Sequence, residues 1–248
     1  MNIKVNELKI SYVTYGSGDP TILVHGWGGN KQSLDALARE LAKTRKVYLL
    51  DLPGFGESQN PPMNWEAEQY PETVLQFIRQ LKLNKLVYIG HSFGGGIGIY
   101  LAANHPALFE KLVLIAASYY REPKVSGLGK LTKFVPFYDH LRDYLLPVRR
   151  LYYKLFHRRS DSLKYLHLES IYRKILKKDL RPILRSVHLP TLILWGRHDL
   201  STPIAEGKYL NEKITDSKMK IYENMTHNLP IAEPVEVAND IIHFLKES

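Results

Sequence analysis

Leu86-Val87-Tyr88-Ile89-Gly90-His91-Ser92-Phe93-Gly94-Gly95 is the stretch on which the reading of the whole chain turns. Its four leading apolar residues, closed off by glycine, suit a short strand buried on both faces. The spacing beyond Ser92 predicts a helix from Phe93 to about Asn104. Between them, Gly90-x-Ser92-x-Gly94 puts a serine on a sharp strand-to-helix turn. Side chains two positions to either side would crowd that turn, and glycine removes them. A serine held in this way projects its hydroxyl above the sheet and becomes a candidate nucleophile. The glycines do not form a dinucleotide fingerprint. Gly94 to Gly98 is out of register with the strand end, and the other glycine-rich stretch, His25 to Gly29, is followed by Lys31, so a nicotinamide cofactor is set aside.

The same strand-then-helix unit recurs on both sides. The first fifteen residues alternate and read as two antiparallel strands with a turn near Asn6-Glu7. Further strands are expected over 21–24, 46–50, 112–115, 191–195 and 219–222. Helical faces are expected at Leu34/Leu37/Ala38/Leu41, at Val74/Phe77/Ile78/Leu81, over 203–214, and over 234–246 with Val235, Ala238, Ile241, Ile242 and Leu245 apolar. Strands alternating with helices predict an α/β fold, a mostly parallel central sheet flanked by helices. The alternation stops at about Ser118 and resumes at about His188. Residues 1–118 and 188–248 are therefore assigned to the core and 119–187 to an inserted helical segment, divided by Pro136, Pro147 and Pro182.

Bulk composition bounds the chemistry. The 248 residues are 44% hydrophobic and 24% charged, enough for a large globular core. There is no cysteine, which excludes disulfides, thiolate metal sites and a cysteine nucleophile. The N-terminal stretch has no apolar run of signal-peptide length, and no apolar run is long enough to span a bilayer, so a cytoplasmic protein is expected. The formal charge is +9 but unevenly placed: residues 121–185 carry 17 Lys/Arg against six Asp/Glu, and the remainder has a small net negative charge.

A serine hydroxyl needs a base to take its proton. Of the ten histidines, His227 follows the 219–222 strand, which places it at the same carboxyl edge of a parallel sheet as Ser92. His25 also follows a strand, where packing and hydrogen bonding suit it better. His105 and His243 read as structural or exposed, and His91 is expected to point away from the nucleophile. The imidazole needs an acceptor that fixes its tautomer. Asp199, after the 191–195 strand, is the candidate; its competing readings are a helix N-cap or a partner of Arg197. Two backbone N–H groups should hold the oxyanion. One is that of Phe93, just after the serine; the other is that of Trp27, in the glycine-flanked loop after the 21–24 strand.

His25-Gly26-Trp27-Gly28, Asp51-Leu52-Pro53-Gly54-Phe55-Gly56-Glu57-Ser58, Gly90-His91-Ser92-Phe93-Gly94-Gly95, Trp195-Gly196-Arg197-His198-Asp199 and Thr226-His227 together resemble the signature stretches of the α/β-hydrolase superfamily. The order Ser92, Asp199, His227 matches that family's chain order. The resemblance covers the core on both sides of the insertion. It implies a catalytic triad of those three residues, no metal or organic cofactor, and a helical cap over 119–187. Several subfamilies fit less well. Haloalkane dehalogenases and epoxide hydrolases usually have Asp where Ser92 stands. Carbon–carbon-bond hydrolases often have Asn at His91, and menaquinone-pathway synthases tend to have Arg near Gly96. A carboxylic-ester hydrolase acting on a small or lipid-like substrate is the expectation. The alternatives are a carbon–carbon-bond hydrolase, a lyase or synthase, a proline-iminopeptidase-like peptidase and a non-catalytic ligand-binding member.

The insertion is basic and aromatic, from Tyr119 and Tyr120 through Phe134, Tyr144, Tyr153 and Tyr165 to Tyr172, with paired charges at Arg149-Arg150, Arg158-Arg159 and Lys177-Lys178. Three readings stand: a lid with aromatics inward and a solvated basic face, a surface that touches anionic membrane, or one that selects acidic substrates. Nucleic acid is the least favoured partner, since no recognised binding module is present.

Overall fold

The computed structural model describes residues 1–121 and 165–247. Its centre is an eight-stranded sheet in the order β1-β2-β4-β3-β5-β6-β7-β8. The strands are β1 (Asn2–Val5), β2 (Leu8–Tyr15), β3 (Pro20–Val24), β4 (Lys46–Leu50), β5 (Leu86–His91), β6 (Phe109–Ile115), β7 (Thr191–Gly196) and β8 (Ser217–Tyr222). The hairpin β1–β2 is antiparallel and β2 joins β4 antiparallel. From β4 to β8 every pairing is parallel. The expected turn is the tight one: Asn6 and Glu7 both have positive φ, 47° and 66°, as a two-residue hairpin loop demands.

Strand residues alternate between two cores. Ile22, Val24, Leu86, Tyr88, Leu112, Leu114, Ile193 and Trp195 face one layer. Leu23, Val87, Ile89, Val113, Ile115, Leu192 and Leu194 face the other. Both faces are apolar because helices cover both, which is why these strands read as continuous apolar runs rather than half-polar ones. The helices are α1 (Asp35–Leu41), α2 (Gln69–Gln80), α3 (Phe93–Asn104), α4 (Glu169–Leu176), α5 (Ile204–Lys213), α6 (Leu229–Ala232) and α7 (Pro234–Lys246). Leu37, Ala38 and Leu41 of α1 share one layer with Val237, Ala238, Ile241 and Phe244 of α7, while α2 and α3 cover the opposite face. At ~1.5–3 kcal/mol for each large side chain fully buried, these layers dominate stability.

The face expected for α7 needs correcting. Val235 is exposed and Ile242 and Leu245 are only partly covered, whereas Val237 and Phe244 are buried. The buried arc is centred on 237, 241 and 244, a rotation of the apolar stripe that the sequence leaves open because both sides of this helix carry aliphatic residues. No described helix is long and apolar enough to cross a membrane.

Between β6 and β7 the described residues form α4 and short 3-10 helices at Leu166–Leu168 and Arg181–Ser186. Phe134, Phe137, Tyr138, Tyr144, Tyr152, Tyr153, Phe156 and the pairs Arg149-Arg150 and Arg158-Arg159, together with Pro136 and Pro147, lie outside the described residues.

Candidate active site

Ser92 stands between β5 and α3 with φ 52° and ψ −114°, a left-handed backbone that costs a non-glycine residue of order 1–3 kcal/mol. The turn is possible only because the residues two positions to either side lack side chains. A Cβ on Gly90 would stand 2.3 Å from the Gly94 carbonyl oxygen, and one on Gly94 would stand 2.3 Å from that of Val24. The strain is held by the main chain. The Ser92 N–H donates to Ile115 O at 2.9 Å, and the Ser92 carbonyl accepts from the N–H groups of Gly95, Gly96 and Ser118.

Asp199 and His227 follow β7 and β8. Both strands run parallel to β5, so all three residues leave the sheet at one edge. The loops that carry Asp199 and His227 are joined through their backbones: Arg197 N–H donates to Tyr222 O and His198 N–H to Met225 O. Gly196 permits this approach, since a Cβ there would lie 2.5 Å from Met225 O. Asp199 and His227 meet directly, with His227 Nδ1 and Asp199 Oδ2 2.8 Å apart. Asp199 Oδ1 accepts the N–H groups of Ser201 and Thr202. Asp199 is not a helix N-cap, since α5 begins at Ile204 with Pro203 at its cap position; Oδ1 instead holds the turn before α5, while Oδ2 meets His227. Arg197 pairs with Glu223 instead.

Burial alone would raise the Asp199 carboxyl. The bond to His227, the charge of that ring, and the Thr202 backbone and side chain outweigh burial and hold the carboxyl below the ordinary carboxylate range. A carboxylate that stays ionised draws the His227 proton to Nδ1 and leaves Nε2 bare, the form a general base requires. Ser92 is not among the hydrogen-bond partners of His227 within the described residues. The elbow and the base loop meet one residue earlier, where His91 Nε2–H donates to the His227 carbonyl at 2.9 Å. His91 was expected to point away from the nucleophile. Its ring lies on the base's side, with its centroid 5.0 Å from that of His227.

The N–H groups of Trp27 and Phe93 have no acceptor among the described residues. The Trp27 ring is fixed by Phe55, Tyr70 and Phe93 in edge contacts and by Tyr172 of α4, stacked at 4.8 Å. Tyr165 donates to Gly28 O in the same loop at 3.2 Å. His25 has the structural part expected of it: Nδ1–H donates to Gly26 O and Nε2 accepts Leu52 N–H.

Sequence reasoning missed two groups. Thr202 donates its hydroxyl to Asp199 Oδ2 at 2.8 Å and lies 3.2 Å from His227 Nδ1; a threonine three residues after the acid was the only signal. Lys31 and Asp51 are the second group. The Lys31 ammonium binds Asp51 Oδ2 and Glu57 Oε2 and the Ser11 hydroxyl, while Asp51 also accepts the backbone N–H of Lys31 and Glu57. This knot fixes the 51–58 loop against β2. Gly56 (φ 54°) is needed there because a Cβ would meet the Asp51 carboxylate at 2.3 Å.

Beside Phe93 lies a cavity of about 290 Å³, walled by Phe93, Ile97, Tyr100, Tyr119, Leu180 and Ile183, with Glu68, Arg121 and Lys178 also on its lining. Lys178 is ion-paired with Glu68, and α4 is tied to the same stretch by Lys174 to Glu66.

Residues 19–140 match the family model described as alpha/beta hydrolase fold. A pimeloyl-[acyl-carrier protein] methyl ester esterase of Aeromonas hydrophila is 28% identical over 96% of this chain and all of its own length. A 2-hydroxymuconate semialdehyde hydrolase of a Pseudomonas species is 24% identical over 94% of this chain and 89% of its own. Among solved structures, a bacterial membrane phospholipase A superposes with a TM-score of 0.79 at 26% identity, covering 99% of this chain and 84% of that one. Fold, matched segment and relatives agree: the chain has the α/β-hydrolase fold, and its sequence and architecture are similar to those of that superfamily.

Proposed function

We propose that this protein is a serine hydrolase that cleaves carboxylic esters of small or lipid-like molecules. The observation that carries the proposal is the ordered Asp199–His227 contact, 2.8 Å, at the sheet edge where Ser92 is held left-handed. Ser92 Oγ attacks the ester carbonyl carbon as His227 Nε2 takes the hydroxyl proton. The N–H groups of Trp27 and Phe93 receive the oxyanion, each worth about 3 kcal/mol of barrier. As the tetrahedral intermediate collapses, the C–O bond breaks and His227 returns its proton to the leaving alcohol. Water, deprotonated by the same nitrogen, then attacks the acyl-enzyme, and the acid leaves as the Ser92 hydroxyl is restored. Asp199, seconded by Thr202, keeps the imidazole in its working tautomer throughout. No step needs a metal or an organic cofactor.

Residues 119–187 act as the cap in this reading. The cavity beside Phe93 is mainly apolar and suits the hydrocarbon part of a substrate. Ester hydrolysis by relatives such as the Aeromonas esterase supports the bond type. Carbon–carbon cleavage is the second reading, supported by the semialdehyde hydrolase relative. Turnover of p-nitrophenyl esters from acetyl to palmitoyl, alongside a ring-cleavage dienoate, separates the two. Ester turnover that peaks at one chain length and vanishes in Ser92→Ala is expected. Turnover of the dienoate with none of the esters would overturn the ester assignment.

A further inference from the structure

His91 is a buried titratable group that the mechanism above leaves unused. It is 6% exposed. Burial and the neighbouring His227 ring push it down to about 3, so the ring is neutral at any working pH. A neutral imidazole has one N–H and one bare nitrogen. The atom facing Nε2 is the His227 carbonyl oxygen, 2.9 Å away, which can only accept, so the proton is on Nε2. The bare Nδ1 looks towards the oxyanion loop: a Cβ built on Gly26 would come within 3.4 Å of it and within 3.0 Å of Ser92 Cβ. The ring thus fills the space between the loop that supplies Trp27 and the loop that supplies His227.

Asp199 fixes the plane and tautomer of the His227 imidazole from its Nδ1 side. That contact does not fix where the main chain of His227 stands relative to the serine. Among the described residues one hydrogen bond joins the elbow to the base loop, and its donor is covalently attached to Ser92. We propose that His91 is a positioning residue for the reaction, which ties the backbone of the base to the peptide of the nucleophile through its Nε2–H and so sets the reach from the His227 imidazole to the Ser92 hydroxyl. The proposal rests on the serine-hydrolase reading. It makes the residue before the nucleophile part of the machinery, and it accounts for a polar ring in a place where a leucine would cost less to bury.

The test compares His91→Leu, which removes the donor, with His91→Gln, whose amide N–H can reach the same carbonyl. In folded His91→Leu, kcat on an ester substrate should fall about 10–100-fold with KM within about two-fold of the parent, because misplacing a catalytic group by an ångström affects the chemical step and not uniform binding. His91→Gln should recover to within about three-fold of the parent. Equal kcat in parent and folded His91→Leu, or a Gln variant as slow as the Leu one, would overturn the proposal. If His91→Leu does not fold, nitrogen-15 NMR of the parent decides: His91 should be the Nε2–H tautomer, and an Nδ1–H tautomer would overturn the proposal. Ser92→Ala is run in parallel. If Ser92→Ala keeps the parent's turnover, the serine mechanism fails and the role of His91 with it. If Ser92→Ala is inert while His91→Leu is unchanged, only the role of His91 fails.

Discussion

The edge of the sheet that carries Ser92, Asp199 and His227 and the α4 segment that lies over it are held by different physics. The loops of Asp199 and His227 are joined main chain to main chain, by Arg197 N–H to Tyr222 O and His198 N–H to Met225 O, and the elbow by Ser118 N–H to Ser92 O. Backbone bonds of this kind, with glycines that admit no other side chain at the contact, leave one geometry. The α4 segment is held by side chains: Tyr172 on Trp27, Lys178 on Glu68, Lys174 on Glu66. Exposed ion pairs contribute about 0–1 kcal/mol each and weaken with salt. In the proposed reading, the chemistry is mounted on the stiff region and substrate selection on the softer one.

The largest effect should come from breaking the stiff region at its acid. Asp199→Asn removes the charge that keeps the His227 proton on Nδ1, and kcat should drop by about 10³–10⁴ while the far-UV spectrum is unchanged; steady-state kinetics and circular dichroism check this. A single methyl at the elbow should come next. Gly94→Ala would force a Cβ against the Val24 carbonyl, and urea unfolding should show a loss of about 3 kcal/mol or more.

Acid sensitivity sharpens the same contrast. His91 is pushed down to about 3, and His25 is also lowered, by burial against the Gly26 hydrogen bond and Asp51, which act the other way. A histidine depressed in the folded state takes up its proton first in the unfolded chain. Its contribution to stability is therefore complete above about pH 6.5 and is lost as pH falls towards the folded value, at about 1.4 kcal/mol per pH unit. Asp199, also depressed, adds to this only below about pH 4. His91→Gln should therefore flatten the fall in urea midpoint between pH 6.5 and 4.5, and an unchanged slope would count against the neutral ring. The smallest effects belong to the soft region. Tyr172→Leu should leave kcat on acetyl esters within about three-fold while shifting the preferred acyl length, and Lys178→Met should change stability by less than about 0.5 kcal/mol.

What the sequence revealed divides along the same line. The meeting of the Ser92, Asp199 and His227 loops at one sheet edge was legible because strand ends and glycines mark them: Gly90, Gly94 and Gly196 each sit where a Cβ has no room. The parallel sheet was legible because both faces of β3, β5, β6 and β7 are apolar. The α7 stripe was misplaced by a fraction of a turn, since Val235 and Leu245 are as apolar as the residues that are buried. The contact of His91 with the His227 carbonyl was invisible because its partner is a main-chain atom more than a hundred residues away. Tyr172 was visible only as one aromatic among many; nothing in its spacing singled out Trp27 as the ring it covers.

The central claim is that Ser92, His227 and Asp199 work as one unit. It is tested most directly by the rate of a fluorophosphonate reaction with the folded protein, with the adduct mapped by peptide mass spectrometry. One adduct on Ser92 is predicted, slowed by about a thousand-fold or more in His227→Ala and absent in Ser92→Ala. An adduct on another residue, or a labelling rate on Ser92 that His227→Ala leaves unchanged, would contradict it.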